Sequence, residues 1–188
     1  MMWVYLATGF TGGLTLVFLI RWIARWLEAH ITVDAYYSPK GGCTDAVVKE
    51  IQKARKEVLV QAYSFTSKPI AGALIEAKGR GVDVEILLDR SNEKETFTEL
   101  EHLIKAGMIP QIDANHAIAH NKIMIIDKRT VITGSFNFTH QAENENAENL
   151  LIIKGNAELA TAYRQQFLAH KAHCQAPGTK GNHHQKAA

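Results

Sequence analysis

The chain has 188 residues. The region in which strand and helix patterns alternate, residues 30–175, is long enough for one domain and not for two. The net charge of the chain is +2, but residues 31–175 hold 17 Lys and Arg against 18 Asp and Glu. This balance excludes a strongly basic footprint, so any binding of DNA or RNA needs a local basic patch. The two cysteines, Cys43 and Cys174, indicate neither a disulfide framework nor a zinc ligand pair.

The first segment is apolar. Residues 3–20 contain no charge, and a cluster of Arg and Trp follows at 21–26. Such a run, at a helical rise of about 1.5 Å per residue, nearly spans a bilayer core of about 30 Å, and the Arg and Trp residues suit its interface. We predict that residues 1–29 form an uncleaved hydrophobic helix that anchors the chain in a membrane. The alternative is a signal peptide cleaved near Ala29, although no Lys or Arg precedes the apolar run.

The next segments alternate between strand and helix patterns, which predicts an α/β domain over residues 30–175. In the first helix Thr44 is the predicted N-cap. Beyond Ala176 the chain is polar and nearly free of apolar residues, so residues 176–188 are predicted to be a disordered tail. The predicted strands are Ile31–Tyr37, Val58–Phe65, Val82–Leu88, Ile109–Ile112 and Leu150–Ile153, and the predicted helices are Thr44–Lys56, Pro69–Gly79, Thr98–Ala106 and Leu159–Ala169.

A β-hairpin is predicted in the stretch HNKIMIIDKRTVITGSFNF. Ile123 to Ile126 form a short apolar run, a polar break covers residues 127–129, and β-branched residues resume at Thr130. Folding the chain about Lys128 places residue 121 opposite residue 135 or a close neighbour. The start of the first strand should therefore meet the end of the second.

Polar side chains converge in this hairpin. His120 and Lys122 share a face, because residues two apart on a strand point the same way. The Lys122 ammonium and the Asn137 amide can hold phosphate oxygens, which leaves His120 as nucleophile or proton carrier. Taken singly, each feature has an ordinary structural explanation: His120 as a hydrogen-bonded core histidine, Lys122 as a charge on an edge strand and the GSFN segment as a turn. Together with Gly134 and Ser135 they indicate a phosphodiesterase site.

The pattern HxKx4D followed by GSxN resembles the signature of the phospholipase D superfamily, and flanking segments resemble its small, single-motif bacterial endonucleases. The similarity covers about residues 31–170. It implies a phospholipase D-like domain with a mixed sheet flanked by helices, and a two-step reaction through a phosphohistidine. The segments that carry it, besides the motif residues His120, Lys122, Asp127, Gly134, Ser135 and Asn137, are 36–42, 62–70, 73–89 and 134–153.

The resemblance implies catalytic roles for His120, Lys122, Asp127 and Glu148, and phosphate binding by Lys122, Ser135 and Asn137. For Asp127, strand geometry favours a different role. Its odd separation from His120 sends it to the other face, so we predict that it orders the hairpin turn.

Glu148 stands thirteen residues beyond Ser135, where the family has a carboxylate, and we predict that it orients His120. An exposed loop carboxylate is the alternative. The neighbouring Glu143 and Glu145 are predicted to be solvated loop charges.

The two-step reaction needs two histidines, one to attack phosphorus and one to protonate the leaving oxygen. One chain supplies one copy of the motif. The resemblance therefore implies a homodimer in which two hairpins meet about a two-fold axis and share one site.

No metal or other cofactor is expected at this site, because Lys122 beside His120 would repel a cation. Histidines near the end of the chain (His170, His173, His183 and His184) offer a possible stray metal site, but a solvated polar end is the favoured interpretation.

Three functions remain open. The first is an endonuclease that cuts DNA or RNA with weak sequence preference, for which Lys122, Lys128 and Arg129 are the predicted local basic patch. The second is a hydrolase or transferase acting on phospholipid such as cardiolipin, and the third is an inactive nucleic-acid-binding module. The resemblance implies a bacterial protein. The cations after the apolar run favour a membrane-anchored domain that faces the cytoplasm. The resemblance favours export instead, to the periplasm if residues 1–29 are cleaved.

Overall fold

The computed structural model describes residues 15–23, 31–94 and 98–178. A seven-stranded mixed sheet forms the centre of the domain, with strand order β1-β7-β6-β5-β2-β3-β4. Its strands are β1 (Thr32–Tyr37), β2 (Glu57–Ala62), β3 (Asp83–Asp89), β4 (Gln111–Asp113), β5 (Lys122–Ile126), β6 (Thr130–Gly134) and β7 (Asn149–Lys154).

Helices cover both faces of this sheet, which is why β2, an interior strand, is buried along its whole length. On one face, α1 (Cys43–Lys53), α2 (Lys68–Gly79) and α3 (Leu100–Lys105) pack into the larger apolar cluster. On the other face, α5 (Ala157–Lys171) contributes Ala160 and Phe167 to a smaller cluster. A short helix, α4 (His140–Asn144), precedes β7.

The predicted α/β class is confirmed, and each predicted strand and helix of the domain overlaps an observed one. The strands β2, β3 and β4 run parallel and are joined through helices, whereas β5, β6, β7 and β1 are antiparallel. The apolar stripe predicted for the second helix is also correct: its members are buried in α2. They are Ile70, Ala73, Leu74 and Ala77.

The predicted N-cap of the first helix is wrong. Gly42 occupies that position, and the helix has no cap from its own segment. Instead the Glu143 carboxylate accepts the backbone N–H groups of Gly42 at 3.0 Å and Thr44 at 2.7 Å. A carboxylate at a helix N-terminus satisfies free N–H groups and complements the helix dipole. Glu143 is therefore not the solvated loop charge that its neighbourhood in the sequence suggests, whereas Glu145 is exposed.

Much of the predicted N-terminal anchor lies outside the described residues. Residues 15–23 are helical and their large apolar side chains are exposed. Among the described parts of the chain, no helix combines the length and the hydropathy that a membrane span requires. At the other end, Gly178 donates its N–H to the Glu93 carboxylate at 2.6 Å, and the rest of the predicted tail, 179–188, again lies outside the described residues.

The hairpin register is as predicted. Ile123 pairs with Thr133 and Met124 with Ile132, and the same register extended beyond the ladder places residue 121 opposite residue 135. The turn is closed by the Arg129 N–H, which donates to the Ile126 carbonyl at 3.1 Å.

Asp127 fixes this turn to the rest of the sheet. Its carboxylate accepts three backbone N–H groups at 2.7–3.1 Å, those of Arg55, Lys56 and Glu57. The position is at the opposite end of β5 from His120, about 20 Å away at about 3.3 Å per residue. The structure therefore separates Asp127 from the other motif residues, and its carboxylate holds the turn, which is the role that strand geometry favours. A catalytic role for Asp127 stays a prediction.

We expect Asp127→Ala to destabilise the domain by roughly 1–3 kcal/mol, because three backbone donors lose a charged acceptor. Turnover per folded molecule should stay within about twofold of the parent, since the turn is remote from His120. Thermal denaturation and specific activity measure the two effects. The control is Asp83→Ala, at an exposed aspartate on β3, which should leave both unchanged. Abolished turnover in a fully folded Asp127→Ala protein would support the catalytic assignment.

Candidate active site

His120 and Lys122 lie where the β4–β5 connection enters β5. His120 is exposed to solvent, whereas Lys122 is only 6% exposed. The Lys122 Nζ donates to the His120 carbonyl at 2.9 Å, so the buried ammonium also fixes the backbone of the histidine. Burial lowers the pKa of Lys122 below its ordinary value, and the Glu148 carboxylate opposes this shift. A positive charge is thus held beside an accessible imidazole.

Tyr63 joins these two residues, and the sequence pattern did not single it out. Its ring lies 4.6 Å from the His120 ring between centroids, and the Lys122 Nζ lies 5.0 Å from its centre. The buried Asn92 supports this position, because its amide donates to the Tyr63 carbonyl at 2.6 Å. Tyr63 directly follows the last residue of β2, and only its place opposite β5 in the sheet reveals that it contacts the motif.

Gly134 and Ser135 bring the end of β6 against the start of β7. A side chain at Gly134 would place its Cβ 2.3 Å from the Asn149 carbonyl oxygen, so only glycine permits this approach. The Ser135 hydroxyl accepts the Asn149 backbone N–H at 3.1 Å. The register places these residues beside the segment that carries His120.

Asn137 follows in the same segment, and its Oδ1 atom is buried with no hydrogen-bond partner among the described residues. Buried acceptors are normally paired, but Asn137 Oδ1 is one of five buried side-chain atoms without a partner among the described residues, so this feature does not single out the site.

Glu148 lies on the segment that enters β7. Its backbone is held by Ser38, whose hydroxyl accepts the Glu148 N–H and whose N–H donates to the Glu148 carbonyl, both at 3.1 Å. The carboxylate accepts from the Asn146 amide at 3.1 Å. Within the described part of the single chain, no hydrogen bond joins Glu148 to His120. Its charge raises the pKa of Lys122, against the larger effect of burial.

The predicted basic patch of Lys122, Lys128 and Arg129 does not form. Lys122 is buried at the start of β5, whereas Lys128 and Arg129 are exposed in the turn beyond its other end. The two cysteines are free, and burial raises the pKa of the Cys43 thiol to about 11 and that of Cys174 to about 12. Neither thiol is a nucleophile near neutral pH.

An open cleft of about 430 Å³ is lined by three of the motif residues, His120, Lys122 and Gly134. Tyr163 and Gln166 of α5 also line it. A second cleft, of about 490 Å³, lies at the N-terminal ends of α1, α2 and α4 and includes none of the motif residues. The chemistry-bearing side chains therefore identify the first cleft as the candidate active site.

Metal-binding side chains gather at a different place. Among the described residues, one group of His, Cys, Asp and Glu is close enough to share an ion, and it consists of Asp113, His116, His170 and His173. The favoured assignment of His170 and His173 to a solvated end is therefore wrong, since both contact the buried Asp113.

Solved structures share this architecture. The phospholipase D family member Nuc from Salmonella typhimurium is 34% identical, with a TM-score of 0.76 over 78% of this chain and 98% of that one. NucT from Helicobacter pylori is similar in fold, with a TM-score of 0.71 over 78% of this chain and 99% of that one, at 23% identity.

Sequence relatives agree. A phospholipase D from Rickettsia bellii is 47% identical over 140 residues, which are 74% of this chain and 69% of the relative. A mitochondrial cardiolipin hydrolase from Xenopus tropicalis is 29% identical over 115 residues, 61% of this chain and 54% of the relative. The family model described as "Cardiolipin synthase, PLD-like domain" matches residues 47–171. The chain thus belongs to the phospholipase D superfamily and is a phosphodiesterase of that superfamily.

Proposed function

We propose that the protein is a metal-independent endonuclease that cleaves DNA or RNA through a phosphohistidine intermediate at a site shared by two chains. The observation that carries this proposal is the accessible His120 imidazole beside the buried Lys122 ammonium. A fixed cation near phosphorus stabilises the charge that develops on its non-bridging oxygens, which is the task that a metal ion performs in many other nucleases.

The reaction has two steps. In the first, a His120 ring nitrogen attacks phosphorus, the bond from phosphorus to the leaving oxygen breaks, and a second histidine gives its proton to that oxygen. In the second, the same second histidine takes a proton from water, the water oxygen attacks phosphorus, and the bond to His120 breaks. Lys122, Ser135 and Asn137 hold the phosphate oxygens throughout.

The second histidine is the His120 of the partner in a homodimer. Two features of the single chain support this part of the proposal. It carries one copy of the motif, and its Glu148 carboxylate has no hydrogen bond to His120 in the described chain. A partner chain related by a two-fold axis would supply the second histidine.

The substrate class rests on the likeness to small, single-motif endonucleases, and the relatives named phospholipase D and cardiolipin hydrolase favour a second candidate. Phospholipid, cardiolipin included, presents the same phosphodiester to the same residues. An anchor within residues 1–29, which stays a prediction, would bring the domain to that substrate, and residues 30–175 would form the catalytic domain in either case. An inactive nucleic-acid-binding module is the third candidate.

We expect His120→Ala to abolish turnover, because no other group in the described site can replace the nucleophile. The full-length protein and this variant would be incubated in EDTA with single- and double-stranded DNA, RNA and cardiolipin vesicles. The control is His102→Ala, which should keep full activity. His102 lies on α3 and contacts Glu99, not the motif.

Cleavage of nucleic acid that the His120 variant loses would support the endonuclease. Turnover of cardiolipin alone would instead make the protein a phospholipase, and full activity in the folded His120→Ala protein would refute the mechanism. A wild-type protein that binds nucleic acid and cleaves none of the substrates would leave the third candidate.

Mixed dimers test whether the site is shared. When wild-type and His120→Ala chains are co-expressed in equal amounts, random pairing leaves about one quarter of the dimers with two intact histidines. Activity per chain should therefore fall to about one quarter of the wild-type value, whereas independent sites would retain about one half. Differently tagged chains allow the mixed dimer to be purified, and about half of the wild-type activity in that dimer would contradict the shared site.

Glu148→Gln should weaken turnover and change its pH profile. A carboxylate that accepts from the imidazole fixes the tautomer and stabilises the protonated ring, and an amide does this less well. The measurement is the pH dependence of kcat/KM for the variant and the parent. Glu145→Gln is the matched control, because Glu145 is exposed in the same loop. Identical profiles for the Glu148 variant and the parent would argue that Glu148 is only a loop charge.

A further inference from the structure

A compact group of three histidines and one aspartate lies outside the candidate active site. Asp113 ends β4, His116 follows in the next loop, His170 belongs to the last turn of α5, and His173 follows that helix. Their potential ligand atoms all lie within 4.8 Å of one another. The Asp113 side chain is 1% exposed, and a carboxylate buried to this degree is normally paired or bound to a metal.

The distances fit a tetrahedral ion. The Asp113 Oδ2 lies 2.9 Å from His116 Nδ1, 3.2 Å from His170 Nδ1 and 3.4 Å from His173 Nε2. Ligands at about 2.0–2.1 Å from a tetrahedral zinc ion are separated from each other by about 3.3 Å. The three oxygen-to-nitrogen distances are thus close to the edges of such a tetrahedron, whereas the group as a whole spans up to 4.8 Å, so side-chain rotations would have to bring the nitrogens closer to a common centre.

Hydrogen bonding alone accounts for this group less well. A carboxylate offers about four lone-pair sites. Asp113 Oδ1 already lies within reach of the backbone N–H groups of Asn115 and His116, at 3.2 and 3.3 Å. Three ring nitrogens around Oδ2 then bring the number of donors to five, more than the carboxylate can accept well. An ion at the centre removes this excess, because each imidazole would present a bare nitrogen to it.

The surroundings also suit a metal. Gln166 contacts the outer nitrogen of His170 at 2.8 Å. Side-chain amide orientation is set by such contacts, and with its oxygen turned inward Gln166 would accept the His170 Nε2–H and leave Nδ1 free for an ion. The His116 side chain is 43% exposed, which gives an ion a route from solvent.

We propose that Asp113, His116, His170 and His173 bind one Zn²⁺ ion, and that this ion has a structural role. Four protein ligands fill a tetrahedral shell and leave no open position for substrate or water, as is typical of structural zinc sites. The ion joins the edge strand β4 to the end of α5. It also fixes the loop that runs from Asp113 to His120, a loop whose other end is held by the Ala119 N–H on Asp89 at 2.7 Å.

The test is metal content and stability of the full chain, produced without a polyhistidine tag, loaded with Zn²⁺ and dialysed against metal-free buffer. We expect one zinc per chain by mass spectrometry, and a midpoint of thermal denaturation that falls by roughly 5 °C or more when a chelator removes the ion. His116→Asn and His173→Asn should each lose the ion and show a smaller effect of the chelator.

Two controls should keep one zinc per chain. One is His102→Asn, at a histidine outside the group, and the other is the double variant His183→Asn, His184→Asn. Co²⁺ in the wild-type protein provides a readout that needs no variant, because a tetrahedral site gives an intense visible absorption and an octahedral one does not.

Absence of zinc from the dialysed wild-type protein, or a weak octahedral cobalt spectrum, would overturn the proposal. So would zinc retained in the two single variants but lost from the tail variant. The proposal does not depend on the nuclease assignment, since neither metal content nor thermal midpoint requires turnover.

Discussion

A slip of one residue in the pairing of β5 would turn the Lys122 side chain to the opposite face of the sheet, because side chains alternate along a strand. It would also carry His120 away from Tyr63. The register is therefore the constraint on which the site depends. Asp127 secures it from the far end of the hairpin by binding the backbone N–H groups of Arg55, Lys56 and Glu57, where β2 begins. One motif residue thus aligns the others without approaching them.

The same segment shows how an active site is assembled from loops on a rigid sheet. His120 itself is exposed, but every neighbour that positions it is held firmly: Lys122 by burial, Tyr63 by Asn92, and the preceding loop by Asp89. An accessible nucleophile on such a support keeps its orientation while it reacts.

Local patterns in the sequence were enough to predict the α/β class, most elements and the hairpin register, because burial periodicity and turn residues act over short distances. They failed where distant segments meet. Thr44 was a reasonable cap by its own neighbourhood, but Glu143 takes that role from about a hundred residues away. Tyr63 carries no motif of its own. From the sequence alone, His170 and His173 were grouped with the polar tail, but the fold places both against Asp113. The segment around Asp113 gave no sign of a cluster.

The cap on α1 has a consequence for the order in which the chain folds. β1 is an edge strand whose ladder partner is β7, and α1 has its N-terminal N–H groups satisfied by Glu143, so both elements are completed by the last third of the sequence. Closing loops of this length costs entropy before any contact compensates for it. β1 and α1 are thus synthesised first in the domain but complete their native contacts last. During synthesis, β1 stays unpaired until β7 leaves the ribosome.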